Sequence, residues 1–100
     1  MNNFRDLQVW QKAVNLVTHV YQLTENVPKT EQYGLTNKIR RSVISISSNI
    51  AEGAGRKSKK GFKQFLYIST GSCYELETQL TISQNLNLVD ESEYEAVKRN

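Results

Sequence analysis

Apolar residues recur at intervals of three and four along most of the chain, which is the spacing of one face of an α-helix. The first stripe predicts an amphipathic helix over about residues 6–25, ending ahead of the only proline, Pro28. The residues of this stripe are Leu7, Trp10, Val14, Val17 and Tyr21.

The second segment contains a short run, residues 43–47, whose apolar and polar residues alternate as in a β-strand. With 100° of rotation per residue, the aliphatic members of this run join a longer stripe, Leu35, Ile39, Val43, Ile46 and Ile50. A polar arc lies nearly opposite, with Lys38, Arg41, Ser45, Ser48 and Glu52. Because a helix explains residues 35–52 and a strand only 43–47, we predict a helix over about 33–53. Gly53 is its expected C-terminal cap, and Ser58 is the expected N-cap of the next helix.

The third segment predicts a helix over about 59–86. Its main stripe would bury the Cys73 thiol and comprises Phe62, Phe65, Leu66, Ser69, Cys73, Leu76, Leu80 and Ser83. Apolar residues beyond this stripe and beyond that of the second helix predict subunit contacts; they are Ile44, Ala51, Ile68, Ile82 and Leu86. The alternative is scattered surface apolar residues, which are normal.

A capping box at Asp90–Glu93 predicts a fourth helix over about 91–100. So short a helix closes a bundle poorly, so either the chain is clipped or a neighbouring subunit supplies the missing wall. The predicted fold is therefore all-α, a single domain over residues 1–100. The four predicted helices would form one small bundle whose fourth helix is short or truncated.

Positive charge is concentrated in residues 38–63, which contain eight basic residues and one acidic residue, a net charge of +7. Such a segment is a candidate surface for polyanions, and the alternative is a solvated face. Its glycine-rich end, 53–58, lacks the spacing of a nucleotide-binding loop and does not follow a strand. The basic residues are Lys38, Arg40, Arg41, Arg56, Lys57, Lys59, Lys60 and Lys63.

The sequence shows no catalytic constellation, so we expect no enzyme, no metal and no cofactor. His19 has no partner at metal-ligand spacing, and Glu75 and Glu77 diverge by about 200° on a helix. Glu52 is expected to pair with Arg56 at i+4. The single cysteine suits a reducing cytoplasm, and no apolar run reaches the roughly 18 residues of a membrane span. Tyr67, one turn after Lys63, either stacks on an unpaired base or packs against a neighbouring helix.

Six short motifs lie in order along the chain, at residues 4–10, 33–35, 39–42, 48–53, 71–72 and 75–78. Together they resemble the bacterial four-helix bundle protein family, which includes proteins encoded in intervening sequences of 23S ribosomal RNA genes. The sequence is also similar to the accessory variability determinant of diversity-generating retroelements. The resemblance implies an antiparallel up-and-down four-helix bundle that assembles as a ring-like homopentamer. It also implies a basic surface or channel for nucleic acid and, in the retroelement branch, a reverse-transcriptase partner. The residues it assigns to binding are Arg40, Arg41, Arg56 and Lys57.

Lys59, Lys60 and Lys63 join this binding set on charge alone. Arg40 has an alternative role in a subunit seam, because it points near Ile44 and Ala51. The expected function is a non-enzymatic oligomeric bundle that binds nucleic acid, RNA rather than DNA, through phosphate contacts. The alternative is a protein-interaction scaffold that docks an acidic protein such as a reverse transcriptase.

Overall fold

Three α-helices make up most of the described part of the chain, which in this computed structural model comprises residues 3–89. They are α1 (Gln8–Thr24), α2 (Asn37–Ala54) and α3 (Lys59–Asn85). Residues 3–89 contain no strand, so the predicted all-helical class is confirmed. The fourth helix expected over 91–100, with its cap at Asp90, lies outside the described residues.

The chain enters α1 through a 3-10 turn at Phe4–Asp6 and leaves it through a second at Lys29–Glu31, followed by a π-helical segment at Gln32–Thr36. The first turn is capped by Asn3, whose side-chain oxygen accepts a hydrogen bond from the Arg5 N–H at 2.9 Å. This turn positions the first aromatic residues of the chain, because the Phe4 ring lies 5.2 Å from that of Trp10 in an edge-on arrangement.

The serine- and isoleucine-rich run is helical, as its longer period predicts, and it forms the centre of the core. Ile39, Val43, Ile46 and Ile50 of α2 are each at most 4% exposed. Burying one such side chain stabilises the fold by about 1.5–3 kcal/mol. The helix propensity lost by a β-branched residue is only a few tenths of a kcal/mol. Burial therefore decides the conformation of this run.

α1 covers one side of this core with a narrower apolar face. Ala13, Val20 and Leu23 are buried against α2, and Trp10 and Val17 are half-buried beside them. α3 contributes Leu76 and Leu80, and the cluster also includes Val89.

Small polar residues join α2 to α3 at close range. The hydroxyls of Ser45 and Ser72 share a hydrogen bond of 2.9 Å, and Ser69 donates to the Ile46 carbonyl at 3.0 Å. The earlier of these α2 residues meets the later of the α3 residues, so the two helices run antiparallel. The short side chains let their backbones approach closely.

Gly53 is not the C-terminal cap that the sequence predicts. It lies inside α2, buried against α3, and a Cβ added there would stand 2.6 Å from the Phe65 Cβ and 3.0 Å from the Phe62 ring. Gly55 caps the helix instead, and its N–H donates to the carbonyls of Ala51 and Glu52. The glycine at position 53 is thus required by helix packing rather than by a turn.

The prediction that Cys73 is buried is also wrong, because its side chain is exposed. The buried face of α3 passes through Ser69, Ser72 and Leu76. Because Ser72 faces α2 through its hydrogen bond with Ser45, the adjacent Cys73 lies outside the buried face, even though a thiol is more apolar than a hydroxyl. Partial burial still desolvates the thiolate and raises the pKa of Cys73.

None of the helices within residues 3–89 combines the length and the hydrophobicity needed to cross a bilayer.

Candidate nucleic-acid interface

A tight turn between α2 and α3 carries the densest group of cations. Ser58 begins α3 as its N-cap, with its hydroxyl accepting a hydrogen bond from the Gly61 N–H at 3.0 Å, as the sequence predicts. Four lysines surround this cap and all are exposed. We call them the turn cluster: Lys57, Lys59, Lys60 and Lys63.

Arg56 is held in place at the base of the turn. Its guanidinium donates to the Glu52 carboxylate at 2.9 Å, which confirms the expected i+4 pair, and lies 4.6 Å from the centre of the Phe65 ring. Its aliphatic stem packs over Gly61, where an added Cβ would come within 3.0 Å of the Arg56 Cβ. The charge of Arg56 is therefore partly compensated, unlike that of Lys57, Lys59 and Lys60.

The turn cluster is electrostatically costly to the helix that carries it. The N-terminus of a helix has a partial positive charge, which favours anions and disfavours cations. The first turn of α3 holds Lys59 and Lys60 and no acidic residue. Within residues 3–89, neither lysine has an ion-pair or hydrogen-bond partner on a side chain, and the same is true of Lys57.

Lys38 and Arg41 lie at the other end of α2, and the structure does not bring them to the turn. From Lys38 to Ala54 the helix rises by about 24 Å. These two residues, although part of the basic segment, therefore do not join the turn cluster. Basic residues that belong to one segment of the sequence are therefore separated in space by the length of the helix between them.

Lys38 and Arg41 instead border a groove of about 500 Å³ between α2 and α3. Neither forms an ion pair within the described part of the chain, although Glu75 lies on the opposite wall. The buried Oε1 of Gln79 accepts no hydrogen bond from the described residues. Sequence reasoning did not select this wall, because Glu75 and Gln79 lie outside the basic segment. The remaining lining residues are Ser42, Ser45 and Ser72.

Arg40 points to the opposite side of α2 and fastens it to α1. Its Nε donates to the Thr24 hydroxyl at 3.0 Å, and its Nη2 lies 3.4 Å from the Tyr21 carbonyl oxygen. The guanidinium also sits 4.3 Å from the centre of the Tyr21 ring. This arrangement satisfies a carbonyl in the last turn of α1, where a cation is favoured by the helix dipole.

Exposed aromatic residues continue from the turn cluster along α3. Lys63 Nζ lies 5.8 Å from the centre of the Tyr67 ring. The side chains of Tyr67 and Tyr74 are 64% and 67% exposed. Within the described part of the chain, Tyr67 therefore does not pack against a neighbouring helix, which is one of the two roles that the sequence suggests for it.

The residues predicted to form subunit contacts lie on the surface of the single chain. Ile44, Ile68, Ile82 and Leu86 are between 41% and 59% exposed, and Ala51 is half-buried. Ile68, Ile82 and Leu86 follow one face of α3, whereas Ile44 and Ala51 lie on α2.

Residues 3–89 contain no group of three or more His, Cys, Asp or Glu side chains that could hold a metal ion. His19 lies half-buried in α1, and its Nδ1 has no hydrogen-bond partner in the described residues.

The fold and the surface together describe an all-helical protein with exposed cations. Within residues 3–89, these cations have no ion-pair partner and lie on the turn between α2 and α3 and along one face of α2. A family model for the 23S rRNA-intervening sequence protein matches residues 5–100. The chain belongs to the 23S rRNA-intervening sequence protein family, in agreement with the resemblance that its short motifs indicate. No curated protein matches the chain at a significant level.

Proposed function

We propose that this protein is a non-enzymatic module that binds nucleic acid, RNA in preference to DNA, through the turn cluster. The observation that supports this most strongly is the unpaired positive charge of Lys59 and Lys60 on the positive end of α3. Each unfavourable charge at a helix end costs about 0.3–1 kcal/mol at low ionic strength. A polyanion would remove this cost and be bound by the same charges.

The turn cluster suits contacts with the phosphate backbone better than contacts with base edges, which would distinguish one sequence from another. Lysines are flexible point charges that follow a phosphate backbone, and such contacts give affinity without direct sequence information. Lys38 and Arg41 add two further cations on the groove between α2 and α3. Arg40 and Arg56 remain candidates, but each is already engaged within the fold.

The proposal predicts a steep dependence of affinity on salt. Each lysine–phosphate pair that a substitution removes should reduce the slope of log affinity against log salt concentration by about 0.9 for a duplex. The experiment is a titration of structured RNA at rising salt with the wild-type protein and with a variant in which all four turn-cluster lysines are alanine. A variant of Lys29, which lies in the turn before α2, serves as a control.

Affinity that is independent of salt, or that survives replacement of the turn cluster, would refute the proposal.

We further propose that residues 91–100 complete a four-helix bundle and that the chain assembles in the cytoplasm as a homo-oligomer, a pentamer being favoured. The support for assembly is the apolar surface of Ile68, Ile82 and Leu86 on α3, together with Ile44 on α2. Light scattering measures the stoichiometry directly. Replacing Ile82 by glutamate should lower the oligomeric state, and a monomeric wild-type protein would exclude the assembly.

The second candidate is a scaffold that docks an acidic protein such as a reverse transcriptase. The scaffold is favoured because exposed apolar residues and lysines lie on the same helix, α3, and a protein partner would bury both kinds of residue. Purification after gentle lysis separates the two candidates. Recovery of RNA that is removed by nuclease treatment supports nucleic-acid binding, whereas a nuclease-resistant protein partner without RNA supports the scaffold.

A further inference from the structure

We propose that the outer face of α3 binds unpaired nucleotides by stacking their bases on Tyr67 and Tyr74, an inference that rests on the proposed function and assigns its ligand more narrowly. Five residues at spacings of three and four define this aromatic stripe: Lys60, Lys63, Tyr67, Gly71 and Tyr74. The stripe begins in the turn cluster and continues away from it along the helix.

The two tyrosine rings are available to a ligand. About two thirds of each side chain is exposed, and within residues 3–89 the only ring contact of Tyr67 is with the Lys63 ammonium group. Tyr67 and Tyr74 are two helical turns apart, about 10.5 Å along the axis. A cation one turn before an exposed ring is the pairing that single-strand-binding surfaces use, with the charge on the backbone and the ring on the base.

Gly71 lies between the tyrosines and has no function in the packing of the described residues. A Cβ added there would meet nothing within 4 Å, in contrast to the crowded Gly53. Glycine in a helix interior is less favourable than alanine, so this position weakens α3 without a gain inside the fold. Its effect on the surface is a gap between two rings where a planar group can reach the helix backbone.

The charges at the start of the stripe are complementary to the phosphates of a nucleotide strand. Lys60 and Lys63 provide unpaired positive charge at one end of the stripe, and Glu77, one turn after Tyr74, provides negative charge at the other. Phosphates are attracted along the first part and repelled beyond Tyr74, which limits the bound strand to the length between them. An antiparallel second copy would set these lysines against Glu77 of its own stripe, so the light-scattering arm of the test below distinguishes that occupant from RNA.

The test compares an unstructured oligouridine with an RNA duplex of the same length, by fluorescence anisotropy at low salt. Tyr67→Ala and Tyr74→Ala should each weaken oligouridine binding by about 5- to 150-fold and leave duplex binding unchanged. Tyr67→Phe and Tyr74→Phe are the matched controls, because they keep the stacking surface and should retain wild-type affinity.

Gly71→Leu tests the gap with a residue that favours helix. This variant should keep or raise the melting temperature while weakening oligouridine binding, which separates an effect on the site from unfolding. Light scattering on the same variants detects a role of this face in assembly.

The inference is overturned if the alanine variants bind both RNAs as the wild type does. It is also overturned if they change the oligomeric state in place of affinity, since the face then belongs to a second copy. Duplex binding that depends on the turn cluster, without any effect of the tyrosines, contradicts only this inference. Failure of the wild type to bind either RNA contradicts the proposed function as well.

Discussion

Reversing one charge at the start of α3 should stabilise the protein and weaken its binding of RNA. We choose Lys60→Glu because Lys60 is the second residue of α3, is exposed, and has no ion-pair partner in residues 3–89. A mutation that weakens binding because it unfolds the protein lowers both the stability and the affinity for RNA. Opposite changes therefore identify a surface whose charge serves a partner rather than the fold.

The expected stabilisation follows from the helix dipole. Removing a cation from the positive end of the helix and adding an anion there are each worth about 0.3–1 kcal/mol at low salt. The free energy of unfolding should thus rise by about 0.6–2 kcal/mol. For a domain of this size, each 1 kcal/mol shifts the melting temperature by about 4–8 °C. At 1 M salt, where the screening length is about 3 Å, most of this gain should disappear.

Calorimetry at low and high salt measures the stability, and RNA titrations over the same range measure the binding. The slope of log affinity against log salt concentration should become shallower by about 1, which corresponds to one phosphate. Lys29→Glu makes the same change of charge near the opposite end of α2, in the Lys29–Glu31 turn. Its stability should stay within about 0.5 kcal/mol of the wild type.

The reasoning is refuted if Lys60→Glu destabilises the protein at low salt, or if the two lysine variants affect RNA binding equally.

Four substitutions and one chemical modification test the packing described above. Gly53→Ala should destabilise the protein by about 1–3 kcal/mol through overpacking, whereas Gly71→Ala should stabilise it by about 0.5–1 kcal/mol; equal effects would contradict the close approach at Gly53. Ser58→Ala should cost about 0.5–2 kcal/mol because it removes the N-cap, and a neutral result would exclude that role. Arg40→Ala should cost about 1–3 kcal/mol in thermal melts, and an unchanged stability would show that the contact with α1 is dispensable. The Cys73 thiol should react with an alkylating agent in the folded protein, more slowly than a free thiol near neutral pH because its pKa is raised; reaction only after unfolding would show that it is buried.

The helices could be predicted because their apolar residues repeat with one period over many turns. The stretch from Ile39 to Ile50 illustrates this, since its local alternation suggests a strand and only the longer stripe reveals the helix. The capping hydroxyl of Ser58 and the pair of Glu52 with Arg56 could also be predicted, since both depend on residues three or four positions apart.

Contacts between helices could not be predicted in the same way. Gly53 looks like a cap in the sequence, yet its lack of a side chain serves the approach of Phe65. Ser72 is buried in preference to the more apolar Cys73, because α2 meets α3 through serine hydroxyls. The interface between α2 and α3 requires small residues, and the polarity of a residue does not show whether its small size is needed there.

The candidate interface could be predicted only in part. Net charge drew attention to the basic segment, but a sum over a sequence window carries no distances. The helix places Lys38 and Arg41 about 20–24 Å from the turn and leaves Arg40 engaged with Tyr21 and Thr24.

Lysine acylation read by mass spectrometry, with and without bound RNA, tests the central proposal most directly. RNA should protect Lys57, Lys59, Lys60 and Lys63 from acylation, and this protection should disappear at high salt. Lys29 should react equally with and without RNA. Equal labelling of the four turn-cluster lysines with and without RNA, under conditions where RNA is bound, would contradict it.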